Sequence, residues 1–431
     1  MALFGTDGVR GVAGEFLTAE LALKLGRAAA LTSPAEHPQI LIVRDTRESG
    51  EMLEAALAAG IAAGGGHALL GGVLPTPGAS VLVRRYSLDL AAVVSASHNP
   101  YQDNGIKFFG PEGMKVRDGL EAEMERRLDE PSDCIGRLRE LHGAGGDYLR
   151  ELQLRFDGLD LSGVRVLLDC AHGATYRVAP EIFRRLGADV DAIAAEPDGR
   201  NINRGVGSTH IEDLAARLDG HDVAFAFDGD GDRVLALDRD GTVVDGDELM
   251  ALAALHLRGS GRLAGDGVAV TVMTNYGFHR AMADVGIEVA TTNVGDRHVL
   301  AELLRRGWAL GGEQSGHIID TGFVPSGDGI AAALLALEAL AGADLTERHA
   351  MEKLPQRLVN VRVRDRGALD GADAVWAGVA RESEALEGRG RILVRPSGTE
   401  PLVRVMVEAP GEAECEEIAG RLANLVETEL G

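Results

Sequence analysis

The hydrophobic positions of the chain recur in three runs of similar form. In each run an apolar strand is followed by a helical segment, a glycine and a second strand. The first strands read ILIVRDTR, VRVLLDCAHG and VAVTVMTN, and the helical segments read EMLEAALAAGIAAG, RVAPEIFRRLG and FHRAMADVG. Glycine at the end of a helix favours a left-handed cap. The pattern therefore predicts three β-α-β units.

A further apolar strand follows each unit and ends in an unusual loop. LAAVV runs into SASHNP, VAFAF into DGDGDR, and WAL into GGEQSGH. Because ligands of open α/β sheets bind beyond the carboxyl ends of strands, we expect three equivalent positions with three different chemistries. The tail differs, since RILVRPSGTEPLVRVMVEA predicts two strands joined by a polar loop, with a helix over AECEEIAGRLANLVETEL.

These patterns predict an α/β protein with several domains. We expect three similar α/β domains of mixed sheet with helices on both faces, followed by a smaller C-terminal α+β domain. The predicted boundaries are 1–149, 150–247, 248–358 and 359–431. A chain of 431 residues is long enough for this division.

Charge and cysteine content exclude several kinds of partner. The net charge of −24 argues against nucleic acid and anionic membrane surfaces. Three cysteines without CxxC spacing indicate a reduced, cytoplasmic protein without disulfides or a zinc site. The segment Ala55 to Leu74 is apolar, but its central AGGGH favours a helix, a turn and a strand over a membrane span.

The loop DGDGDR places Asp228, Asp230 and Asp232 at alternate positions after a strand. In a tight loop these carboxylates can converge on a hard cation such as Mg²⁺. An EF-hand is the rival interpretation, but its sixth position holds Arg233 and its twelfth Arg239. A solvated acidic turn is the simpler alternative.

Two further loops carry candidate binding groups. RPSGTEP offers arginine, hydroxyls and backbone amides for a phosphate dianion, through Arg395, Ser397, Gly398, Thr399 and, on the next strand, Arg404. GGEQSGH offers Glu313 and Ser315 for sugar hydroxyls, and His317 for proton transfer or phosphate contact. Ordinary glycine-rich turns remain the alternative for both.

The serine of SASHNP has no acyl-enzyme context, because GxSxG is absent. Taken alone, Ser97 beside His98 is typical of a capped turn. Beside a metal loop and a phosphate loop, Ser97 becomes a candidate phosphoryl carrier.

GTDGVRG, SASHNP, DGDGDR, GGEQSGH and RPSGTEP, in this order, resemble the motifs of the α-D-phosphohexomutases. RDTRESG, LPTPG, GSTH and VGDR support the resemblance, which covers essentially the whole chain. The resemblance implies four domains around one central cleft, with one loop from each. The serine-led SASHNP, the glutamine in GGEQSGH and the GTDGVRG opening are most similar to members that act on glucosamine phosphates.

The resemblance also implies a role for each motif residue. Ser97 would be the phosphoserine and, with Asp228, Asp230 and Asp232, a Mg²⁺ ligand, while His98 would support the serine loop. Groups around the reacting phosphate would be Arg10, Lys107, Arg233 and His317. Sugar hydroxyls would bind Glu313 and Ser315. The non-transferred phosphate would bind Arg395, Ser397, Gly398, Thr399 and Arg404.

The implied reaction interconverts glucosamine 6-phosphate and glucosamine 1-phosphate through a phosphoserine enzyme and a 1,6-bisphosphate. We expect one Mg²⁺ per active site, with glucosamine or glucose 1,6-bisphosphate as activator. The expected partner is a small-molecule sugar phosphate, with no nucleic acid and no membrane, and a homodimer is left open.

Three other functions stay open at this point. One is phosphomannomutase/phosphoglucomutase activity within the same family, and another is a metal-dependent sugar phosphatase. The third is a silent sugar-phosphate-binding protein, which would need neither Ser97 nor three aspartates.

Overall fold

A computed structural model describes residues 3–5, 7–397 and 400–431. The chain forms two compact units, Met1–Val272 with Ala290–Arg348, and Met273–Val289 with His349–Gly431. Within the described residues there are four β-sheets. The loops at Ser97, Asp228 and Glu313 belong to the larger unit, and the loop at Arg395 belongs to the smaller one.

The first sheet has six strands and lies in the larger unit. Its elements, with the helices between them, are β1 (Val9–Val12), α1 (Ala19–Thr32), β2 (Gln39–Arg44), α2 (Gly50–Ala63), β3 (His67–Val73), α3 (Thr76–Arg85), β4 (Leu90–Val94), β5 (Asp103–Phe109), α4 (Asp118–Arg126), β6 (Arg137–Glu140) and α5 (Ala144–Arg155). The strand order is β1-β5-β4-β2-β3-β6. The apolar segment Ala55 to Leu74 therefore belongs to α2 and β3, as predicted.

The second sheet has five strands. Its elements are β7 (Arg165–Asp169), α6 (Val178–Arg185), β8 (Asp189–Ile193), a 3₁₀ segment (Ser208–Arg217), β9 (Val223–Phe227), β10 (Val234–Asp238), β11 (Val243–Val244) and α7 (Gly246–Gly259). The strand order is β11-β10-β9-β7-β8. A capping box fixes the start of α7, where the Asp245 carboxylate accepts from the Glu248 backbone and the Glu248 carboxylate accepts from the Asp245 backbone.

The third sheet has four strands, in the order β13-β12-β14-β15. Its elements are a 3₁₀ turn (Ala264–Asp266), β12 (Gly267–Thr271), α8 (Tyr276–Asp284), β13 (Glu288–Thr292), α9 (Asp296–Arg306), β14 (Leu310–Gly312), β15 (Ile318–Asp320), α10 (Gly329–Leu340) and a second 3₁₀ turn (Leu345–Glu347). The strand predicted over WAL begins two residues later, at Leu310, because pairing with β12 starts there. The side chains of Trp308 and Ala309 are buried before the strand begins.

The three sheets repeat one four-strand pattern, β5-β4-β2-β3, β10-β9-β7-β8 and β15-β14-β12-β13. In each, the second strand pairs in parallel with the third and antiparallel with the first. The loops at Ser97, Asp228 and Glu313 all connect this second strand to the first. The predicted repeat of mixed sheets with helices is confirmed, and it places the three loops at equivalent positions.

The smaller unit contains a three-stranded antiparallel sheet in the order β16-β18-β17. Its elements are β16 (Gln356–Arg362), a 3₁₀ segment (Arg366–Gly371), α11 (Asp373–Leu386), β17 (Arg391–Pro396), β18 (Leu402–Glu408) and α12 (Glu412–Leu430). Apolar side chains of β18, such as Val403, Val405 and Val407, form a core with α12 residues Ile418 and Leu422. The two predicted strands and the final helix are present, whereas β16 and α11 were not predicted.

No helix in the described ranges is long and apolar enough to cross a membrane.

Candidate active site

The loop after β4 presents Ser97 in a strained and buried position. Ser97 has a backbone φ of +52° and is 1 % exposed. A non-glycine residue in this region carries strain that the surroundings must offset, and such residues cluster at functional sites. The Oγ of Ser97 donates to Oδ2 of Asp228 at 2.6 Å and lies 3.3 Å from Nδ1 of His98. The serine and the acidic loop are therefore in direct contact.

The acidic loop after β9 buries all three aspartates. One carboxylate oxygen from each of Asp228, Asp230 and Asp232 lies within 4.8 Å of the others. The backbone of Gly229 approaches the serine loop so closely that a Cβ there would lie 2.5 Å from the carbonyl oxygen of Ser97. Only glycine allows this approach, which brings the two loops together.

The three carboxylates fit a divalent metal. Within the described residues, no hydrogen-bond donor reaches Oδ1 of Asp230 or Oδ1 of Asp232, although both atoms are buried. A buried carboxylate oxygen without a donor is costly. Oxygen ligands of this kind are what Mg²⁺ prefers. We therefore find a donor set that suits the predicted Mg²⁺, with the Ser97 Oγ at its edge.

Electrostatics in the acidic loop show the same need for a cation. Burial, together with Asp232 and Asp230, raises the pKa of Asp228 well above its usual value. Burial also acts to raise the pKa of Asp232, but His317, Lys107 and Arg233 hold it well below its usual value. Asp228 therefore favours its protonated form, and ionisation of all three carboxylates would need positive charge beyond that of the neighbouring side chains.

Basic residues lie on the other side of the acidic loop. Lys107, on β5, is buried, and its Nζ donates to Oδ2 of Asp230 at 2.9 Å. Burial alone would lower the pKa of Lys107, but Asp230, Asp7 and Asp232 raise it above its usual value. Thr76 donates to the same Asp230 oxygen at 2.7 Å. Lys107 is therefore a charged group held against the acidic loop.

Asp7 organises the cations near Lys107. Its carboxylate pairs with Lys107 at 3.2 Å and also with Arg10 and Lys115. Burial would raise the pKa of Asp7, but Lys107, Lys115 and Arg10 lower it. Lys115 in turn pairs with Asp296, at the start of α9. Arg10 and Lys107 thus lie together around Asp7, which had no predicted role, and their place around the reacting phosphate stays a prediction.

The loop after β14 places His317 beside the acidic loop. Its Nδ1 lies 3.6 Å from Oδ2 of Asp232, and its Nε2 accepts from the backbone of Gly327 at 3.2 Å. Burial would lower the pKa of His317, but Asp232 raises it above its usual value. The backbone of Gly316 packs on β10, where a Cβ would overlap the carbonyl oxygen of Val234. His317 is thereby fixed at the site.

The predicted sugar ligands lie in the same loop. Glu313 is partly buried, and its Oε1 accepts from the backbone of Gly295 at 2.9 Å, while Ser315 is exposed.

Arg233 follows the last aspartate, and its backbone donates to Oδ1 of Asp228 at 3.2 Å. Burial, Arg233 and Arg10 lower the pKa of His98, which favours the neutral ring.

The predicted phosphate loop lies in the smaller unit. Arg395 and Arg404 face each other on β17 and β18. Burial and Arg404 lower the pKa of Arg395. Ser397 follows β17, and its Oγ accepts from the backbone of Glu400 at 3.4 Å. Gly398 and Thr399 lie outside the described residues, so their predicted roles are not tested.

Sequence reasoning missed several residues that hold the site together. Asp7, Thr76 and Asp296 stand in GTDGVRG, LPTPG and VGDR, which supported the family resemblance without a role for these side chains. Arg47 and Asn203 bind the serine loop, and RDTR was the only signal for Arg47. The motifs marked these segments, but only the fold shows what the side chains contact.

Family models match the chain in four consecutive parts. They are described as phosphoglucomutase/phosphomannomutase alpha/beta/alpha domain I over residues 1–133, domain II over 146–241, domain III over 245–358, and the C-terminal domain over 358–425. The chain therefore belongs to the phosphoglucomutase/phosphomannomutase family. The domain limits predicted from the sequence stay predictions.

Three relatives that match over almost the full length are phosphoglucosamine mutases. The phosphoglucosamine mutase of Desulforudis audaxviator is 50% identical over 440 residues, covering 99% of this chain and 98% of the relative. The phosphoglucosamine mutase of Bacillus subtilis is 46% identical over 443 residues and covers 99% of each chain. That of Saccharopolyspora erythraea is 48% identical over 438 residues, with 98% of each chain covered.

Solved structures show the same fold at lower identity. A phosphoglucomutase/phosphomannomutase family protein from Burkholderia thailandensis matches with a TM-score of 0.83 and 23% identity, over 99% of this chain and 97% of that one. Aspergillus fumigatus N-acetylphosphoglucosamine mutase, solved with GlcNAc-6P and magnesium, matches with a TM-score of 0.68 and 18% identity, over 100% and 96% of the two chains.

Proposed function

We propose that this protein is an intramolecular phosphotransferase that interconverts glucosamine 6-phosphate and glucosamine 1-phosphate. The observation that carries the proposal is the 2.6 Å contact between Ser97 Oγ and the buried carboxylate of Asp228. A serine fixed against three carboxylates that fit a divalent metal is suited to carry a phosphoryl group. The full-length similarity to phosphoglucosamine mutases supports the choice of substrate.

The first transfer starts from phosphorylated Ser97. The bond between phosphorus and Ser97 Oγ breaks, and a bond forms between phosphorus and the oxygen of the free sugar hydroxyl. A base takes the hydroxyl proton, and Ser97 Oγ takes up a proton as it leaves. The product is glucosamine 1,6-bisphosphate. This intermediate then reverses its orientation. Its other phosphate is transferred to Ser97, and the isomeric monophosphate is released.

Side chains of the larger unit supply the charges for this transfer. Asp228, Asp230, Asp232 and the Ser97 oxygen would hold Mg²⁺. When bound, Mg²⁺ would offset negative charge on the carboxylates and on the transferring phosphoryl group. Lys107 and the guanidinium groups of Arg10 and Arg233 would balance the charge that remains.

Proton transfer and loop support fall to two histidines in this scheme. His317 is buried beside Asp232 and can exchange a proton at Nδ1. His98 lies next to Ser97 Oγ, and its neutral ring supports the serine loop without repelling the basic groups. Exclusion of water from these buried groups would keep phosphoserine from hydrolysis.

The substrate would be held at two other places. Glu313 and Ser315 bind sugar hydroxyls in this proposal, and Glu313 pairs with the cationic 2-amino group. The non-transferred phosphate binds the group Arg395, Ser397, Gly398, Thr399 and Arg404. Both orientations of the bisphosphate use the same loop, so the 1-phosphate and the 6-phosphate share one docking site.

Glucosamine or glucose 1,6-bisphosphate would serve as activator, since either can phosphorylate Ser97. The four parts of the chain would then supply the phosphoserine (1–149), the metal site (150–247), the sugar site (248–358) and the phosphate site (359–431). A homodimer is compatible with this arrangement.

A coupled assay with glucosamine, glucose and mannose phosphates tests the proposal. Charge-assisted hydrogen bonds contribute about 1.5–3 kcal/mol, so we expect kcat/KM for glucosamine phosphate to exceed that for glucose phosphate by about one to two orders of magnitude. Equal values for the two sugars would contradict the substrate assignment and leave a mutase of the same family. Net release of inorganic phosphate without isomerisation would instead indicate a phosphatase.

A further inference from the structure

One buried arginine holds the loop that carries Ser97 through hydrogen bonds to its backbone. Arg47 is 1 % exposed, and its Nε donates to Oδ2 of Asp45 at 2.8 Å. Its Nη2 donates to the carbonyl oxygens of Ser97 at 2.8 Å and Asn99 at 2.9 Å. Its Nη1 donates to the carbonyl oxygens of Pro100 and Asp103.

This arrangement uses the whole donor capacity of the side chain. A guanidinium has five N–H donors in a fixed plane, and all five donors of Arg47 have an acceptor. Four of these acceptors are carbonyl oxygens of the segment 97–103. A lysine could supply at most three donors and no planar fork, so the site is specific for arginine.

Asp45 joins the arginine to the serine backbone. The Asp45 carboxylate accepts from Ser95 Oγ at 2.6 Å, and Ser95 Oγ accepts from the backbone N–H of Ser97 at 3.0 Å. Both the N–H and the carbonyl oxygen of Ser97 are thus fixed by one network. This network offsets the strain of the positive φ at Ser97.

An asparagine side chain from the segment after β8 binds two of the same carbonyl groups. The Nδ2 of Asn203 donates to the carbonyl oxygens of Ser97 at 2.9 Å and Asn99 at 3.1 Å. Asn203 follows β8 and belongs to the part of the chain that carries the aspartates. Its side chain therefore ties the serine loop to the segment that follows β8.

We propose that Arg47 and Asn203 are positioning residues that hold the Ser97 backbone so that Oγ stays within bonding distance of Asp228. The inference rests on the proposed function for its catalytic consequence. Neither side chain touches the substrate in this scheme. They act through the placement of Ser97, and a displacement of about 1 Å can cost about 10²-fold in rate.

The sharpest test is the isosteric substitution Asn203→Asp, with Asn201→Asp as control. Asn203→Asp replaces the donating Nδ2 by a carboxylate oxygen. This oxygen would repel the carbonyl oxygens of Ser97 and Asn99, so the serine loop should move. We expect kcat to fall by about 100-fold while KM stays within about twofold. Asn201 lies two residues away in a partly exposed turn, where its Oδ1 accepts from the backbone of Asp198, and its variant should keep kcat within about twofold.

A second pair of variants tests the arginine. Arg47→Lys should lower kcat by about 100-fold, whereas Arg44→Lys should leave it within about twofold. Arg44 ends β2, close to Arg47 in the chain, but binds Glu51 and Glu54 instead of the serine loop. If Arg47→Lys fails to fold, Asn203→Gly tests the positioning role instead. Glycine accepts the φ of +59° at this position, so the substitution removes only the side chain.

Backbone hydrogen exchange gives a readout that needs no substrate. The amides of Ser97, Asn99 and Asp103 are hydrogen-bonded within the loop, and they should exchange at least about tenfold faster in Asn203→Gly and Asn203→Asp. Unchanged exchange together with an unchanged kcat in both variants would overturn the inference. A wild-type protein without mutase activity would instead contradict the proposed function, and the exchange rates would still decide the roles of Arg47 and Asn203.

Discussion

The Ser97 site and the Arg395 loop differ in how their charged side chains are arranged. Around Ser97 the charged groups are mostly buried and lie against groups of opposite sign. In the Arg395 loop two guanidinium groups lie opposite each other on neighbouring strands, only partly buried. Like charges in this arrangement are destabilising. Bringing them together makes sense if an anion binds between them.

This difference in burial and charge suits two kinds of ligand, one that stays bound at the carboxylates and one that exchanges at the arginines. A buried set of carboxylates with unpaired oxygens suits a cation that stays bound through each cycle. A half-exposed pair of arginines suits a phosphate that must bind and leave. We therefore expect substitutions at the Ser97 site and in the Arg395 loop to lower mutase activity by different amounts.

The largest effect is expected at the serine. Ser97→Ala removes the phosphoryl acceptor, so mutase activity should fall by more than about 10³-fold. Sugar phosphate should still bind, because the groups around Arg395 are unchanged, and calorimetric titration measures this directly. Mass spectrometry should find phosphate on Ser97 of the active wild-type protein. Robust turnover by the alanine variant without a phosphoprotein would contradict the role of Ser97.

Metal removal should have an effect nearly as large, but a reversible one. Chelation leaves Asp228, Asp230 and Asp232 with only the neighbouring basic side chains to offset their charge, beside a phosphoserine that itself carries about −1.5 to −2 charges. We expect turnover to stop and to return when Mg²⁺ is added. Ca²⁺ added at the same concentration serves as control, because its larger size alters the coordination. Full activity in the presence of excess chelator would show that the carboxylates need no metal.

Substitution in the arginine pair should produce a moderate loss that is equal in the two directions. Arg395→Ala removes one charge-assisted contact, worth about 1.5–3 kcal/mol, so kcat/KM should fall by about 10- to 100-fold with either glucosamine phosphate. Arg391→Ala is a matched control, since Arg391 is on the same strand but pairs with Glu408. A loss in only one direction would show that the two substrates do not share this loop.

The sequence predicted the parts of this comparison to different extents. Strand-then-loop segments such as VAFAF-DGDGDR are recognisable because an apolar run and its polar end are adjacent in the chain. The contacts of Asp7 with Lys107, or of Asn203 with Ser97, join residues about one hundred positions apart, and no local pattern encodes them. The short β14 was misplaced by two residues because the apolar residues Trp308 and Ala309 continue the strand pattern although they do not pair.

A third buried acidic group extends the comparison, because no cation in the part of the chain that the structure describes pairs with it. Asp328 caps the start of α10, where its carboxylate accepts from the Tyr148 hydroxyl at 2.9 Å and from the backbone of Ala331 at 2.9 Å. Burial raises the pKa of Asp328 from 3.8 to about 6. Asp7 is only partly buried, and its three cations lower its pKa.

The raised pKa makes stability depend on pH. In the unfolded chain Asp328 ionises near pH 4, but in the folded protein it holds its proton to about pH 6. Its contribution to the free energy of unfolding is therefore fully present below pH 4 and is lost as the pH rises through about 6. The loss amounts to about 3 kcal/mol at pH 7.

Asp328→Asn should remove this loss, since asparagine also caps a helix and accepts from Tyr148 without a charge. The thermal midpoint of the variant should exceed that of the wild type at pH 7–8 and approach it at pH 4, as calorimetry over this range can measure. Tyr148→Phe is the opposing control. It deprives the Asp328 carboxylate of a donor and should lower the midpoint most at neutral pH, where the charge is present. If the midpoint of the Asp328→Asn variant shows the same pH dependence as that of the wild type, Asp328 stays ionised in the folded protein without cost.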